Sequence, residues 1–222
     1  MRKMKFGILI VFAVLVLVSV ASAALPSQVT ATIAKPGSAS YFGVDVTTGG
    51  GEISVAYHDG WCENSQTFSD SFIGISTVFD VYSSLGGIPA TMPYADWNKI
   101  NYVINDNIQN SHGANAATLQ SVFWYFDGGE IGWNPGGALG TVDPTIRQAL
   151  IDDADTYGGA YIPSVLGEYY AVVLWSDINV QPLFIVLPIP DIPVPEFPSL
   201  ALPVAMLIGV VGAVQYFRAR KE

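Results

Sequence analysis

The chain has 222 residues and a formal net charge of −10. Between residues 24 and 194 it carries three basic residues against 17 acidic ones. Nucleic acids are bound through Lys and Arg side chains that neutralise phosphates, so we expect no nucleic-acid partner. A segment of about 171 residues is the size of one ordinary domain and is long enough to bury a sizeable core.

Residues 1–23 have the pattern of a secretory signal peptide. Three basic residues stand among the first five positions, residues 6–18 are almost wholly apolar, and residues 21–23 read Ala-Ser-Ala. A basic N-terminal region, a short apolar region and small residues at the cleavage site predict export and cleavage after Ala23. The alternative is an uncleaved anchor helix, although the apolar run is short for a membrane span.

The segment from 24 to 92 is rich in Val, Ile, Thr, Ser and Gly. Apolar and polar residues alternate at 41–46 and again at 53–57, which predicts short strands joined by glycine turns. Further strands are predicted at 168–176 and 180–187.

Helical periodicity replaces this alternation in the middle of the chain. Trp97, Ile100, Ile104 and Ile108 recur at spacings of three and four, which predicts one face of a helix over about 94–109. A second helix is predicted over 115–126, where four apolar residues are in phase (Leu119, Val122, Phe123 and Phe126).

A third helix is predicted to begin at Asp143-Pro144, with Asp as N-cap and Pro in the first turn, and to run to about Tyr157. The predicted fold class is therefore α+β. It is a β-rich body resembling a sandwich or barrel, with a helical insertion, and it forms one extracellular domain over 24–187.

The C-terminal part divides into a stalk, a membrane span and a tail. Residues 188–197 contain four prolines, and a fifth follows at position 198. This density of proline predicts a stiff, extended stalk over 188–197. Residues 198–217 carry no charge, and at about 1.5 Å per residue a helix of that length matches the bilayer's hydrocarbon thickness of about 30 Å. The basic tail, 218–222, would stay in the cytoplasm and leave 24–194 outside the cell.

The tripeptide Pro195-Glu196-Phe197 stands directly before this predicted span. The order of tripeptide, apolar helix and basic end over 194–222 resembles the Pro-Glu-Phe class of archaeal C-terminal sorting signals. The resemblance implies that an archaeosortase-like transpeptidase removes the helix and attaches the new carboxyl end to the cell envelope. The alternative is a plain membrane anchor behind a proline-rich spacer.

Cys62 is the only cysteine of the chain, so it cannot close an internal disulfide. Three explanations remain open for one cysteine in an exported protein. It is an inert buried thiol, it forms a disulfide with another chain, or another linkage consumes it.

Three motifs in fixed order resemble the thioester domains of bacterial surface adhesins over about 57–127. They are the aromatic-Cys pair Trp61-Cys62, the helix Trp97-Asn98-Lys99-Ile100-Asn101-Tyr102-Val103-Ile104-Asn105, and the helix Gln120-Ser121-Val122-Phe123-Trp124-Tyr125. The resemblance implies that the thiol of Cys62 and the carboxamide of Gln120 form an internal thioester, which an amine on an unidentified ligand then attacks. Trp61, Trp124 and Tyr125 are candidates for an aromatic shield that excludes water from the bond.

The sequence departs from that family at several positions. Glu63 and Asn64 follow the cysteine, where an aliphatic residue and an acid are usual, and Val122 and Phe123 replace Ala and Ile. The alternative function is therefore a non-reactive structural or glycan-coated envelope protein with the same fold, in which Gln120 is a solvated helix residue.

No enzyme activity and no cofactor are expected. His58 and His112 are the only histidines, too few for a zinc site without identified partners. A role of His58 in proton transfer during the attack of the amine is a minor alternative. The acidic residues at 152, 153 and 155 are interpreted as a solvated helix face, because no calcium-loop motif is present.

Overall fold

The structure is a computed structural model that describes residues 24–34, 40–63, 72–90, 92, 95–110, 112–128, 139–176 and 182–190. These residues belong to one compact unit, Ala23–Pro190. Among them no helix is long and apolar enough to cross a membrane. The predicted signal peptide, sorting motif, membrane span and tail lie outside the described residues and stay predictions.

Six antiparallel strands form a closed barrel in the order β1-β2-β3-β6-β5-β4, with β4 pairing back onto β1. They are β1 Gln28–Ala34, β2 Phe42–Thr48, β3 Tyr57–Cys62, β4 Ser76–Ser83, β5 Tyr169–Trp175 and β6 Leu183–Pro188. The expectation of a β-rich, barrel-like body is confirmed.

Alternate side chains along the strands fill the barrel interior. In β1 the side chains of Val29, Ala31 and Ile33 are buried inside, and in β2 Val44 and Val46 join them. Since successive side chains of a strand point to opposite faces, every second residue contributes to this interior core.

The strand predicted over 53–57 is wrong, because β3 begins only at Tyr57. Ile53 exchanges main-chain hydrogen bonds of 3.0 Å with Gly50 in a tight turn. Gly51 lies in this turn with φ of 55°, and a Cβ there would stand 1.7 Å from the carbonyl oxygen of Ala24. The run of glycines thus converts an alternating segment into a turn.

In the described part of the chain, three helices lie between β4 and β5 in the sequence: α1 Trp97–Asn110, α2 Ala116–Phe126 and α3 Pro144–Asp153. The third continues as one π-helical turn, Ala154–Gly158. Asn115 caps α2 by accepting from Thr118 N, and Asp143 caps α3 by accepting from Thr145 N and Ile146 N. The predicted helical insertion and the Asp-Pro start of its third helix are confirmed.

The helices pack against the outer face of the barrel. Ala171 and Val173 of β5 and Phe184 of β6 point outward into the helical core, whereas their strand neighbours point inward. Both faces of these two strands are therefore covered, which explains their nearly continuous apolar sequences.

Most of the predicted helix face is buried in this layer. Ile100, Ile104, Leu119 and Phe123 are buried, and Trp97 is partly buried with its ring 5.8 Å from that of Phe184. Ile108, which shares the same helical phase, is 46 % exposed.

Candidate functional site

Cys62 is the last residue of β3 and is fully buried. Its side chain belongs to the interior core of the barrel, while the side chain of Trp61 points outward to the helices. A Cβ on Gly60 would stand 2.5 Å from Val44 Cγ2, so glycine allows β3 to lie close to β2 just before the cysteine.

Gln120 lies in the middle of α2 and is also fully buried, so it is not a solvated helix residue. Its carboxamide pairs with the main chain of Cys62 at both ends. Cys62 N donates to Gln120 Oε1 at 2.9 Å, and Gln120 Nε2 donates to Cys62 O at 2.8 Å. The structure thus brings the two predicted residues together and fixes the carboxamide beside the cysteine.

Trp124 contacts the sulfur directly. Its indole Nε1 donates to Cys62 Sγ at 3.3 Å, and the side chain is 2 % exposed. Although Trp124 belongs to α2, its ring is part of the interior core of the barrel.

The other two shield candidates lie in different surroundings. Trp61 is 6 % exposed and packs edge-on against Phe123, with ring centroids 5.1 Å apart. Tyr125 is turned toward α3, where Arg147 Cζ lies 5.8 Å from its ring. Of the three aromatic residues, Trp124 is the one whose side chain donates a hydrogen bond to Cys62.

Asn105 and Tyr169 repeat the arrangement of Gln120 and Cys62. Asn105 Nδ2 donates to Tyr169 O and Tyr169 N donates to Asn105 Oδ1, each at 2.8 Å. One turn earlier, Asn101 Oδ1 accepts from Ala171 N at 2.9 Å. These amide contacts dock α1 on β5, and the sequence signal for them was a pair of Asn residues spaced by four within an apolar helix.

Two carboxyl groups, one buried and one partly buried, stand at the ends of the elements that carry the pair. Glu63, next to Cys62, is 2 % exposed, and neither of its oxygens has a hydrogen-bond partner among the described residues. Burial raises its pKa to about 7. Asp127 follows α2, and burial, then the charge of Glu63, raises its pKa to about 8. Sequence reasoning treated Glu63 only as a departure from the family pattern.

A cleft of about 610 Å³ lies on the helix side of β3. Trp61 and Leu119, the chain neighbours of Cys62 and Gln120, are among its walls. Tyr57 and Ile108 also line it and are 60 % and 46 % exposed. The cleft therefore lies outside the barrel beside the chain neighbours of the buried pair, and neither Cys62 nor Gln120 is among its walls.

His58 also lines the cleft, and its Nε2 lies 3.1 Å from Ser54 O. Asp152 and Asp155 are exposed, as expected for a solvated helix face, and Asp153 is partly buried.

No family model and no curated protein matches the chain. Solved structures that resemble its fold include two domains of bacterial surface proteins. The N-terminal thioester domain of a surface protein from Clostridium perfringens is 8 % identical with a TM-score of 0.43, and the match covers 73 % of this chain and 99 % of that one. The N-terminal domain of the Streptococcus pyogenes pilus tip adhesin Cpa is 13 % identical with a TM-score of 0.43, covering 78 % and 98 %. The likeness to both is one of fold alone.

Proposed function

We propose that Cys62 and Gln120 condense to an internal thioester and that the chain acts at the cell surface by capturing amines covalently. The observation that carries this proposal is the double hydrogen bond, 2.9 and 2.8 Å, between the buried carboxamide of Gln120 and the main chain of Cys62. It holds the electrophilic carbon beside the residue that supplies the nucleophilic sulfur.

The first step is an acyl transfer within the protein. Cys62 Sγ attacks the side-chain carbonyl carbon of Gln120, the S–C bond forms, and the C–N bond breaks. The leaving nitrogen takes the thiol proton and departs as ammonia. Since Cys62 N already donates to Gln120 Oε1, that main-chain N–H stabilises negative charge on the oxygen during the attack.

The second step consumes the stored bond. An amine attacks the same carbonyl carbon, the S–C bond breaks, and the proton from the amine returns to the sulfur. The product is an amide between Gln120 and the ligand, with Cys62 released as a thiol. Trp124 Nε1, 3.3 Å from the sulfur, stabilises the departing thiolate.

Burial supports storage of the bond between these steps. Both partners are fully buried, so water that hydrolyses a thioester is kept away. The ligand class is a primary amine, and an acidic domain attracts the protonated form of such a ligand. Export by 1–23 and anchoring through 188–222, by a plain membrane helix or by an archaeosortase-like transpeptidase, would place the domain outside the cell.

Intact and peptide masses of the full chain, purified without amines, test the proposal. The region containing residues 62 and 120 should weigh one ammonia less than its sequence. Methylamine should then add to Gln120 and release a titratable thiol at Cys62, and Cys62→Ala or Gln120→Ala should abolish the adduct. Asn105→Ala is the matched control, because it removes the same type of carboxamide contact at a strand without a cysteine. A full sequence mass together with a titratable thiol before any treatment would refute the proposal.

A second candidate is a non-reactive structural envelope protein. The pairing of Asn105 with Tyr169 favours it, because there the same carboxamide geometry serves only to dock a helix on a strand. The mass measurement separates the two functions, since only the first removes ammonia.

A further inference from the structure

We propose that Asp106, His112 and Asp153 bind a divalent transition-metal ion, with zinc as the best fit, where the last turns of α1 and α3 meet. Each residue offers one ligand atom, and the three atoms lie within 4.8 Å of one another. This site is separate from Cys62 and Gln120 and does not depend on the proposed thioester.

The contact between Asp106 and His112 points to a shared ligand. Asp106 Oδ2 and His112 Nε2 lie 2.7 Å apart, yet both atoms are buried and neither has a hydrogen-bond partner among the described residues. Both atoms therefore have hydrogen-bonding capacity that the described residues leave unused.

Asp106 is held in position for this role. The residue is 7 % exposed, and its other oxygen accepts from Asn110 Nδ2 one turn later in α1. A ligating carboxylate whose second oxygen is hydrogen-bonded has the fixed orientation that metal sites need.

A simple Asp–His ion pair leaves the third group unexplained. Asp153 adds a second carboxylate to the same place. The two described basic side chains are engaged elsewhere, Lys99 with Asp96 and Asp155, and Arg147 over the ring of Tyr125. Among the described residues, no Lys or Arg balances the two carboxylates, and a divalent cation would.

The donor set selects the type of ion. One imidazole nitrogen and two carboxylate oxygens suit zinc, which binds such ligands at about 2.0–2.2 Å and takes water in a fourth position. Calcium and magnesium prefer oxygen ligands throughout. Atoms bound to one ion at about 2 Å lie no more than about 4 Å apart, so small side-chain adjustments close the site.

Zinc titration of the purified, EDTA-treated full chain tests the proposal by calorimetry and by thermal melting. The expected result is one zinc ion per chain, a raised melting temperature, and no comparable effect of calcium or magnesium. His112→Ala and Asp153→Asn, at partly exposed positions, should each lose binding, and Asp106→Asn should do the same if its melting curve without metal shows a folded protein.

Two variants serve as matched controls. His58→Ala removes the other histidine, and Asp152→Asn removes the carboxylate next to Asp153, so both should bind zinc like the original chain. Absence of zinc binding in the original chain would overturn the proposal, and so would binding that survives His112→Ala or that His58→Ala reduces equally.

Discussion

Gln120 and Cys62 are joined through the main chain of the cysteine, with its N–H donating to the carboxamide oxygen and its carbonyl accepting from the carboxamide nitrogen. The side chain of a helix residue thus completes the hydrogen bonding of the last residue of β3. The contact docks α2 on the barrel, and in the proposed reaction it also orients the carboxamide for attack, so the proposed reactivity and the stability of the fold depend on one pair of hydrogen bonds.

Removing the carboxamide should therefore destabilise the fold whether or not the thioester forms. Gln120→Ala leaves a buried N–H and a buried carbonyl unpaired, at about 1–3 kcal/mol for each group. Asn105→Ala should cost a similar amount, since it frees the corresponding groups of Tyr169. Urea unfolding of both variants in a Cys62→Ala background measures how much the carboxamide contacts contribute to the free energy of unfolding, because no thioester can form without the thiol. A Gln120→Ala variant as stable as its background would show that the two hydrogen bonds contribute nothing to docking.

The N–H group of Trp124 should control how fast the proposed thioester reacts with amines. Trp124→Phe keeps a buried ring but removes the donor to Cys62 Sγ. Hydrogen bonds to charged groups contribute about 1.5–3 kcal/mol, so the methylamine reaction should slow by roughly tenfold or more. The rate of thiol release measures the effect, and Trp61→Phe, which changes the outward-facing neighbour, should react at nearly the original rate. Equal rates for the Trp124 variant and the original chain would exclude this role.

Stability should fall as the pH rises from about 5 to 8. Burial raises the pKa of Glu63 from 4.5 to about 7, so the folded protein binds this proton more tightly than the unfolded chain does. The stabilising contribution of the proton is complete below pH 4.5 and is lost as the pH rises through 7. At about 1.4 kcal/mol per unit of pKa, the loss is on the order of 3 kcal/mol.

Glu63→Gln should consequently be more stable than the original chain at pH 8 and similar to it at pH 4.5. Urea unfolding at several pH values provides the measurement, with Asp152→Asn as the control, since Asp152 is an exposed carboxylate. An unchanged pH profile in the Glu63 variant would assign the dependence to other groups, and Asp127 is the next to test.

Packing of the helical layer predicts a loss of thermal stability on truncation of its aromatic residues. Trp124→Ala and Trp97→Ala remove rings from the interior core and from the contact with Phe184, respectively. Large-to-small substitutions in cores cost about 3–5 kcal/mol for Phe or Trp. The melting temperature should fall most for Trp124, which is 2 % exposed, and least for Tyr157→Ala, whose side chain is 66 % exposed. Unchanged melting of both Trp variants would contradict the packing of the layer.

Processing of the two ends is predicted from the sequence alone. Residues 1–23 and the segment beyond Pro195-Glu196-Phe197 should be absent from protein extracted from the cell surface. Peptide mapping of the extracted protein gives the answer, and recovery of the 198–217 segment still attached would favour the plain membrane anchor over the sorting signal.

The helices could be predicted from the sequence because their information is local. The spacing of Trp97, Ile100 and Ile104 defines a face, and Asp143-Pro144 supplies both the cap and the first-turn proline, so the chain itself specifies where these helices form. The turn at 50–53 was misread because alternation does not reveal a glycine that must adopt a positive φ against the carbonyl of Ala24.

The sequence by itself determined which residues were candidates: a lone cysteine after an aromatic residue, and a glutamine on a later helix. Only the tertiary structure decided what surrounds them, because residues 58 positions apart meet through barrel closure and helix docking. The lack of a hydrogen-bond partner for the Glu63 carboxyl group among the described residues and the convergence of Asp106, His112 and Asp153 likewise depend on burial and on contacts between elements. Residue type and spacing specify local conformation, but the solvation of a carboxyl group and the direction of a donor are properties of the packed molecule.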